Sequence, residues 1–367
     1  MASDSEYICE VVRIEDLRPH GNADKLEIAT IRTKHGLSGY VIVVQKGSFK
    51  PGSLAAYVGT DCVVPLYPAP PGLEFLRDKT TRKEHRVRAA KLRGVFSEGI
   101  LVPAPVGCIL GHELSQEWGI SQYVAPVKGE PTAPGVSTGP GPTKNGHMLG
   151  WPDYSVTSLK KVPGLFLDGQ MCSIDEKIHG ANGRAGHYKG QLVVGSHHCI
   201  KTPILSAWQS LARKICPRFL HKYVFPESKG YYGEDIWTKA VKPYAEKMAT
   251  KPNFVFYYEV YGPGVQPMHY GLKEPKVTFF DIWDSETKTW LTKSECDSWF
   301  VYLGLPTPPN LYTGPYPGIE AVRMMAEGPS LYGGNIREGV VVSDWNSATK
   351  GKCVGQGYLL MKEGEGR

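Results

Sequence analysis

The stretch DEKIHGANGR, Asp175 to Arg184, sets two carboxylates ahead of a lysine and follows that lysine with a histidine, a glycine and an asparagine. The preceding residues, GQMCSIDEKI, read as a strand, so Lys177 stands where strand gives way to turn, with its amine expected at a sheet edge open to a ligand. A lysine attacks only as the neutral amine. A nucleophilic one therefore needs neighbouring cations, a metal or desolvation to lower its pKa. Taken alone, a lysine before a glycine turn is more often a solvated surface residue, and the decision rests on what accompanies it.

The companions follow in order. YYEVYGPGVQ places Glu259 at the end of a strand before a Gly-Pro-Gly turn, KVTFFDIW offers Phe279 and Phe280 ahead of Asp281, and REGVVV puts Glu338 at the head of an apolar strand. TKGKCV alternates Lys350 and Lys352, and the period of two in a strand points both amines to one face. A nucleophile, two carboxylates, an aromatic platform and paired cations together suit attack on a nucleoside triphosphate.

On these motifs the second half resembles the covalent nucleotidyltransferases, comprising RNA ligases, DNA ligases and mRNA capping enzymes, whose first motif is K-x-D/H-G. KIHGAN and EVYGPGVQ look most like the nick-sealing ATP-dependent RNA ligases, and His179, where DNA ligases more usually carry Asp, leans toward RNA. The succession PHGNADKLEIATI, VIVVQKGSFKPGSLAAYVGTDCVVP and KLRGVFSEGILVP resembles the OB-like domain ahead of the ligase domain in one class of RNA ligases. That class also ends on a lysine-bearing strand followed by YLL-x-K, as in GKCVGQGYLLMK. The resemblance covers most of the chain except a linker and a helical insert near residues 203–252.

The resemblance implies a reaction in three steps. Lys177 attacks the α-phosphate of ATP, forming lysyl-AMP and releasing pyrophosphate; AMP passes to an RNA 5′-phosphate; a 3′-OH then displaces AMP. It also implies a role for each position. The backbone of Glu176 would meet adenine with Ile178 beside it, and Asn182 and Arg184 would bond phosphate or ribose. Glu259 would serve the ribose or a metal-bound water. Phe280 would stack on adenine, with Phe279 the alternative because strand alternation turns only one of them inward. Glu338 would engage metal-bound water, and Lys350 and Lys352 the phosphates. A Mg2+ or Mn2+ ion is implied, held by Glu338 and Glu259 through water. Two places depart from the family. GSHHCIK stands where an arginine usually follows a serine, leaving His197 or Lys201 for the ribose and phosphate end, and Lys362 in LLMKEG competes with Lys350 and Lys352 as the last motif.

The rest of the chain supplies the frame. Its 367 residues suggest two or three domains at roughly 150 residues each. YICEVVRIEDL, KLEIATI, YVIVVQKG, SLAAYVG and GILVPA read as short strands of a small β-barrel, whereas APVKGEPTAPGVSTGPGPTKNGHMLG buries too little apolar surface to fold alone. The expected organisation is an OB-like domain at 1–125, a linker at 126–150 and a nucleotidyltransferase domain at 151–367. The fold class is α+β, with antiparallel sheets and flanking helices. Strands are expected at GQLVVGSH, FVFYYEVYG, KVTFFDIWD, EGVVVSDW and YLLMK, and helices at SAWQSLARKICPRFLHKYV, IWTKAVKPYAEKMATK, SECDSWFVYLGL and GIEAVRMMAEG.

Forty-two Lys plus Arg against thirty-six Asp plus Glu give a formal charge of +6. The bias is concentrated: Arg77 to Arg93, RDKTTRKEHRVRAAKLR, holds eight Lys or Arg and two acids, a candidate RNA contact if it lies on one surface. Eight scattered cysteines without a C-x-x-C pair suit a reduced intracellular protein, and no leader-like or membrane-spanning run is evident, so a soluble monomer is expected. The expected partner is RNA, in a nicked RNA or RNA/DNA duplex. HHC at His197 to Cys199 has no second cluster at zinc-ligand spacing. The competing readings are a DNA ligase or capping-type nucleotidyltransferase, and a non-catalytic nucleic-acid binder on the same fold.

Overall fold

The structure is a computed structural model describing residues 8–79, 83–123, 149–188, 190–196 and 236–361. The expected helix SAWQSLARKICPRFLHKYV, together with His197, Lys201 and Lys362, lies outside the described residues.

In the N-terminal part, β1 (Cys9–Pro19), β2 (Leu26–Thr33), β3 (Gly36–Gln45) and β4 (Leu54–Val58) fall on four of the five stretches read as strands, and a later strand falls on the fifth, GILVPA. The chain continues through β5 (Cys62–Pro65), β6 (Glu84–Arg86), β7 (Ala90–Leu92), β8 (Val95–Ser97), β9 (Ile100–Pro103) and β10 (Ser121–Gln122). An antiparallel sheet runs in the order β3-β2-β1-β4-β9, beside a smaller one, β10-β5-β6, and a β7-β8 ribbon. Neighbouring residues of β1 enter different cores, as a period of two requires. Val12 and Ile14 join Ile31, Ile42 and Tyr57, while Val11 joins Val58, Val64 and Trp118. Both faces of β1 are covered, which is what a small barrel demands.

The C-terminal part holds β11 (Thr157–Ser158), β12 (Met171–Lys177), β13 (Ala181–Tyr188), β14 (Gln191–Ser196), β15 (Phe254–Tyr261), β16 (Lys276–Asp284), β17 (Thr289–Trp290), β18 (Asn310–Pro315), β19 (Gly339–Asp344) and β20 (Lys350–Val354). They form two sheets, β11-β20-β19-β12-β18 and β14-β13-β15-β16-β17, with only the β11–β20 pair parallel in the first. Helix Ile319–Met325 packs on the first sheet through Val322. Helix Lys293–Leu303 packs on the second through Cys296, Phe300 and Leu303. Thr292 and Glu295 close a capping box at the start of that helix, and Gly304 ends it at φ 57°. The fold is α+β, and strands dominate it.

One strand reading is corrected. YLLMK is helical at its start, with Gln356–Leu359 forming a short turn of helix. The cause is nonlocal: the Glu327 carboxylate accepts from the backbone amides of Gln356 and Gly357, supplying the acceptors that a helix start needs. Four apolar residues cannot themselves distinguish helix from strand.

The two parts meet over buried polar contacts. Lys160 Nζ lies 2.6 Å from Glu98 Oε1 with both side chains almost wholly buried, and the Gly39 amide donates to the Lys160 carbonyl at 2.8 Å. Among the described residues, no helix is long and apolar enough to cross a membrane.

Candidate active site

The strand β12 ends at Lys177, and the turn Ile178–Gly180 carries the chain across to β13 in the other sheet. Lys177 therefore does not sit at a sheet edge, as its strand-to-turn position suggests. It lies in the cleft between two sheets, and β12 itself is flanked by β18 and β19. The glycine of the turn follows from the close approach of β15. A Cβ on Gly180 would overlap the carbonyl oxygen of Val260 and stand 2.9 Å from Cγ of Glu259.

A cavity of about 220 Å³ occupies this cleft. One wall carries Glu176, Lys177 and Ile178, with Lys350 and Lys352 from β20; the other carries Asn182, Glu259, Thr278 and Phe280. The register explains the second wall, since Asn182 pairs with Glu259 and Glu259 with Thr278, so all three share a face. A bulge at Tyr257/Tyr258 skips one residue of β16, and Phe280 then faces the cavity while Phe279 is fully buried among Phe256, Tyr258 and Phe300. Of the two phenylalanines, Phe280 is the one on the cavity.

Two carboxylates flank the lysine in opposite electrostatic states. Glu338 Oε1 is 2.9 Å from Lys177 Nζ, and its Oε2 is 3.5 Å from Nδ1 of His179. Burial by itself would raise the Glu338 pKa, but the Lys177 ammonium and the His179 imidazole outweigh it and hold the group at about 2. Glu259 is pushed up to about 8 by burial and by the charge of Glu338, against the opposing pull of Lys177 and a hydrogen bond with Asn182. One carboxylate is thus a firm anion, and the other holds its proton near neutral pH.

The lysine pair on β20 has a partner that sequence reasoning did not assign. Lys350 Nζ is 2.5 Å from Oδ2 of buried Asp281. Asp175, the first residue of the motif, is used structurally: it pairs with buried Lys293 at 2.9 Å and accepts from Asn310 Nδ2. The Glu176 carboxylate also faces inward, where Oε2 accepts from the Leu331 amide at 2.8 Å. That leaves the backbone of Glu176 for the cavity. Arg184 shares the face of Asn182 two residues on, yet the cavity wall does not include it. Its Nη1 donates to the carbonyls of Trp151 and Pro152 and to Asp153 Oδ1 at 3.2, 2.8 and 3.1 Å.

Tyr154, Tyr270 and Tyr358 also escaped the sequence reading. The ring of Tyr154 lies 4.8 Å from that of Phe280 and lines the cavity. Tyr270 OH accepts from the His179 amide at 2.7 Å, and Tyr358 OH is 3.2 Å from His179 Nδ1. The motif histidine is thereby held from the segment after β15 and from the helix after β20. Only Tyr358 had a signal in the sequence, the trailing YLL pattern.

Residues 171–354 match the RNA ligase family, and residues 8–104 match an OB-fold domain. The chain belongs to the RNA ligase family. No curated protein sequence gives a significant match to this ligase. Among solved structures it is similar to a Naegleria gruberi RNA ligase variant with ATP and Mn, at 19% identity over 97% of this chain and 99% of that one, TM-score 0.73. A variant of the same protein with AMP and Mn gives 18% identity over 98% and 99%, TM-score 0.73, and the form with PPi 18% over 97% and 98%, TM-score 0.71. The ligase and these structures share a fold over nearly their whole lengths.

Proposed function

We propose that this RNA ligase is ATP-dependent and works through a lysyl-AMP formed at Lys177, with residues 1–125 as a substrate-binding OB-like domain, 126–150 as linker and 151–367 as the catalytic domain. The observation that carries the reading is the convergence of Lys177, Glu259, Phe280, Lys350 and Lys352 on one cavity from four different strands, with Glu338 paired to Lys177 at 2.9 Å. The Naegleria protein of the same fold has been captured with ATP, AMP and Mn, which supports the same nucleotide and metal here.

The chemistry follows from the walls. Lys177 Nζ, which is partly exposed and first gives up its ammonium proton to water, attacks the α-phosphorus; a P–N bond forms, the bond to the β-phosphate oxygen breaks, and pyrophosphate leaves. Negative charge then gathers on the phosphoryl oxygens. Lys350, fixed by Asp281, and Lys352 present cations to it from one strand face. Phe280 and Tyr154 offer a ring surface for adenine, and the Glu176 backbone and Ile178 offer its edge. Asn182 and Glu259 stand on the opposite wall for the ribose. We assign His197 to the ribose and phosphate end from the sequence alone.

A divalent cation fits the donor set. Oε2 of Glu338 is buried, with the long 3.5 Å approach of His179 Nδ1 as its contact, and Glu259 is near enough to feel the Glu338 charge. No group of three His, Cys, Asp or Glu side chains placed to hold a metal occurs among the described residues, so water and phosphate oxygens would have to complete the shell of a Mg2+ or Mn2+ ion here. Bound there, the ion would supply charge neutralisation at the phosphates.

The deciding experiment is incubation with α-labelled ATP followed by acid quenching. Wild type should carry covalent label, and Lys177→Ala none. A panel of nicked duplexes with each strand switched between RNA and DNA then reads the acceptor preference; sealing of all-DNA nicks as fast as RNA nicks would favour the DNA ligase reading.

A further inference from the structure

The basic run from Arg77 to Arg93 passes through several elements, among them β6 and β7. Its second half is built into the β7-β8 ribbon, and the root of that ribbon is fastened to the catalytic part beside the nucleophile. Ala89 and Phe96 pack in one apolar cluster with Ile178, Tyr270 and Tyr358, and Ile178 is the residue immediately after Lys177. Behind Phe96 the Glu98–Lys160 pair locks the same segment to the catalytic part. At the tip, Arg93 and Gly94 take φ of 49° and 95° to turn the chain, and Asn22 Nδ2 donates to the Arg93 carbonyl at 3.4 Å.

Register fixes where the cations leave this ribbon. Lys91 lies directly opposite Phe96, and residues directly opposite in an antiparallel pair share a face. Phe96 points into the cluster at the nucleophile turn, so Lys91 leaves the ribbon on the side that borders the active site. Ala89, two residues earlier, packs on that same cluster, in agreement with the alternation. Lys91 and Arg93 are both exposed.

From this placement we propose that Lys91 and Arg93 form a cationic rail for the RNA phosphate backbone next to the reacting end. The inference rests on the RNA ligase reading for its choice of ligand. A ribbon held at both root and tip presents these charges without first having to order them, and phosphate contacts of this kind set register rather than sequence preference.

The test is binding of a nicked RNA duplex to the full chain across 50–200 mM salt, by fluorescence anisotropy. Each phosphate contact contributes about 0.9 to the slope of log K against log salt, so Lys91→Gln/Arg93→Gln should flatten it by nearly two units and weaken binding by tens of fold at about 0.1 M salt. Lys50→Gln/Lys288→Gln removes the same charge from exposed lysines in the β3–β4 and β16–β17 turns and should keep the wild-type slope. Equal slopes in all three proteins, or equal flattening in both variants, would overturn the proposal. The binding assay needs no catalysis. A protein that shows the slope change yet takes up no label from ATP would sustain the rail and sink the ligation chemistry.

Discussion

Replacing Glu338 and Glu259, the two glutamates that flank Lys177, by glutamine, one at a time, should change stability with opposite dependences on pH. Glu338 sits at about 2 against an ordinary value of 4.5, a depression of about 2.5 units; at about 1.4 kcal/mol per unit it contributes roughly 3 kcal/mol. Because its folded pKa is lowered, that contribution is complete above 4.5 and lost as pH falls toward 2. Glu259 is raised to about 8, so its contribution is present below 4.5 and lost as pH rises through about 8. The full shift corresponds to at most about 5 kcal/mol, and its half-buried position reduces this to about 2–3 kcal/mol. The assay is urea unfolding of nucleotide-free protein with chelator present, from pH 5 to 8.5. Glu338→Gln should lie about 3 kcal/mol below wild type throughout that range. Glu259→Gln should gain on wild type steadily, by about 2–3 kcal/mol from one end to the other. A Glu259→Gln difference that stays flat across this range would mean that Glu259 is already ionised at the acid end, and the proposed asymmetry of the site would be refuted.

Other outcomes are tied to single contacts. Lys177→Ala should abolish covalent labelling by ATP, and label retained on another lysine, located by peptide mapping, would overturn the assignment. Gly180→Ala forces the turn away from Val260 and Glu259, so stability should fall by about 1–3 kcal/mol and adenylylation by about a hundredfold; near-normal labelling would show that the turn tolerates the shift. Glu98→Ala leaves Lys160 buried without its carboxylate and should cost about 3–5 kcal/mol in chemical denaturation, whereas a loss under about 1 kcal/mol would show that water reaches the lysine.

Much of this was legible in the chain because strand alternation is local. The lysine before a glycine turn, the glutamates at strand ends and the alternating Lys350 and Lys352 could be assigned from neighbours a few residues away. Phe280 needed the structure, since a bulge set by β15 decides which ring faces the cavity. Asp281 could be seen beside the phenylalanines, but its partner Lys350 lies 69 residues on, and no local pattern announces such a pair. The helix at Gln356 is made by Glu327 from outside its own sequence. Arg184 matched a motif position, yet the carbonyls that hold it belong to Trp151 and Pro152, more than thirty residues earlier, so motif spelling could not foresee those contacts.

The buried Asp281–Lys350 pair has a consequence for chemical selectivity. Three amines open on one small cavity, and an electrophilic phosphate or an amine-reactive nucleotide analogue would meet all of them. A carboxylate 2.5 Å from Lys350, itself almost wholly enclosed, holds that amine in a buried ion pair. Lys177 has a carboxylate of its own at 2.9 Å, but its side chain is 28% exposed against 8% for Lys350, so access together with pairing sorts the amines. Loss of Asp281 should create a second acylation site, and an inhibitor designed to trap Lys177 would lose its single address.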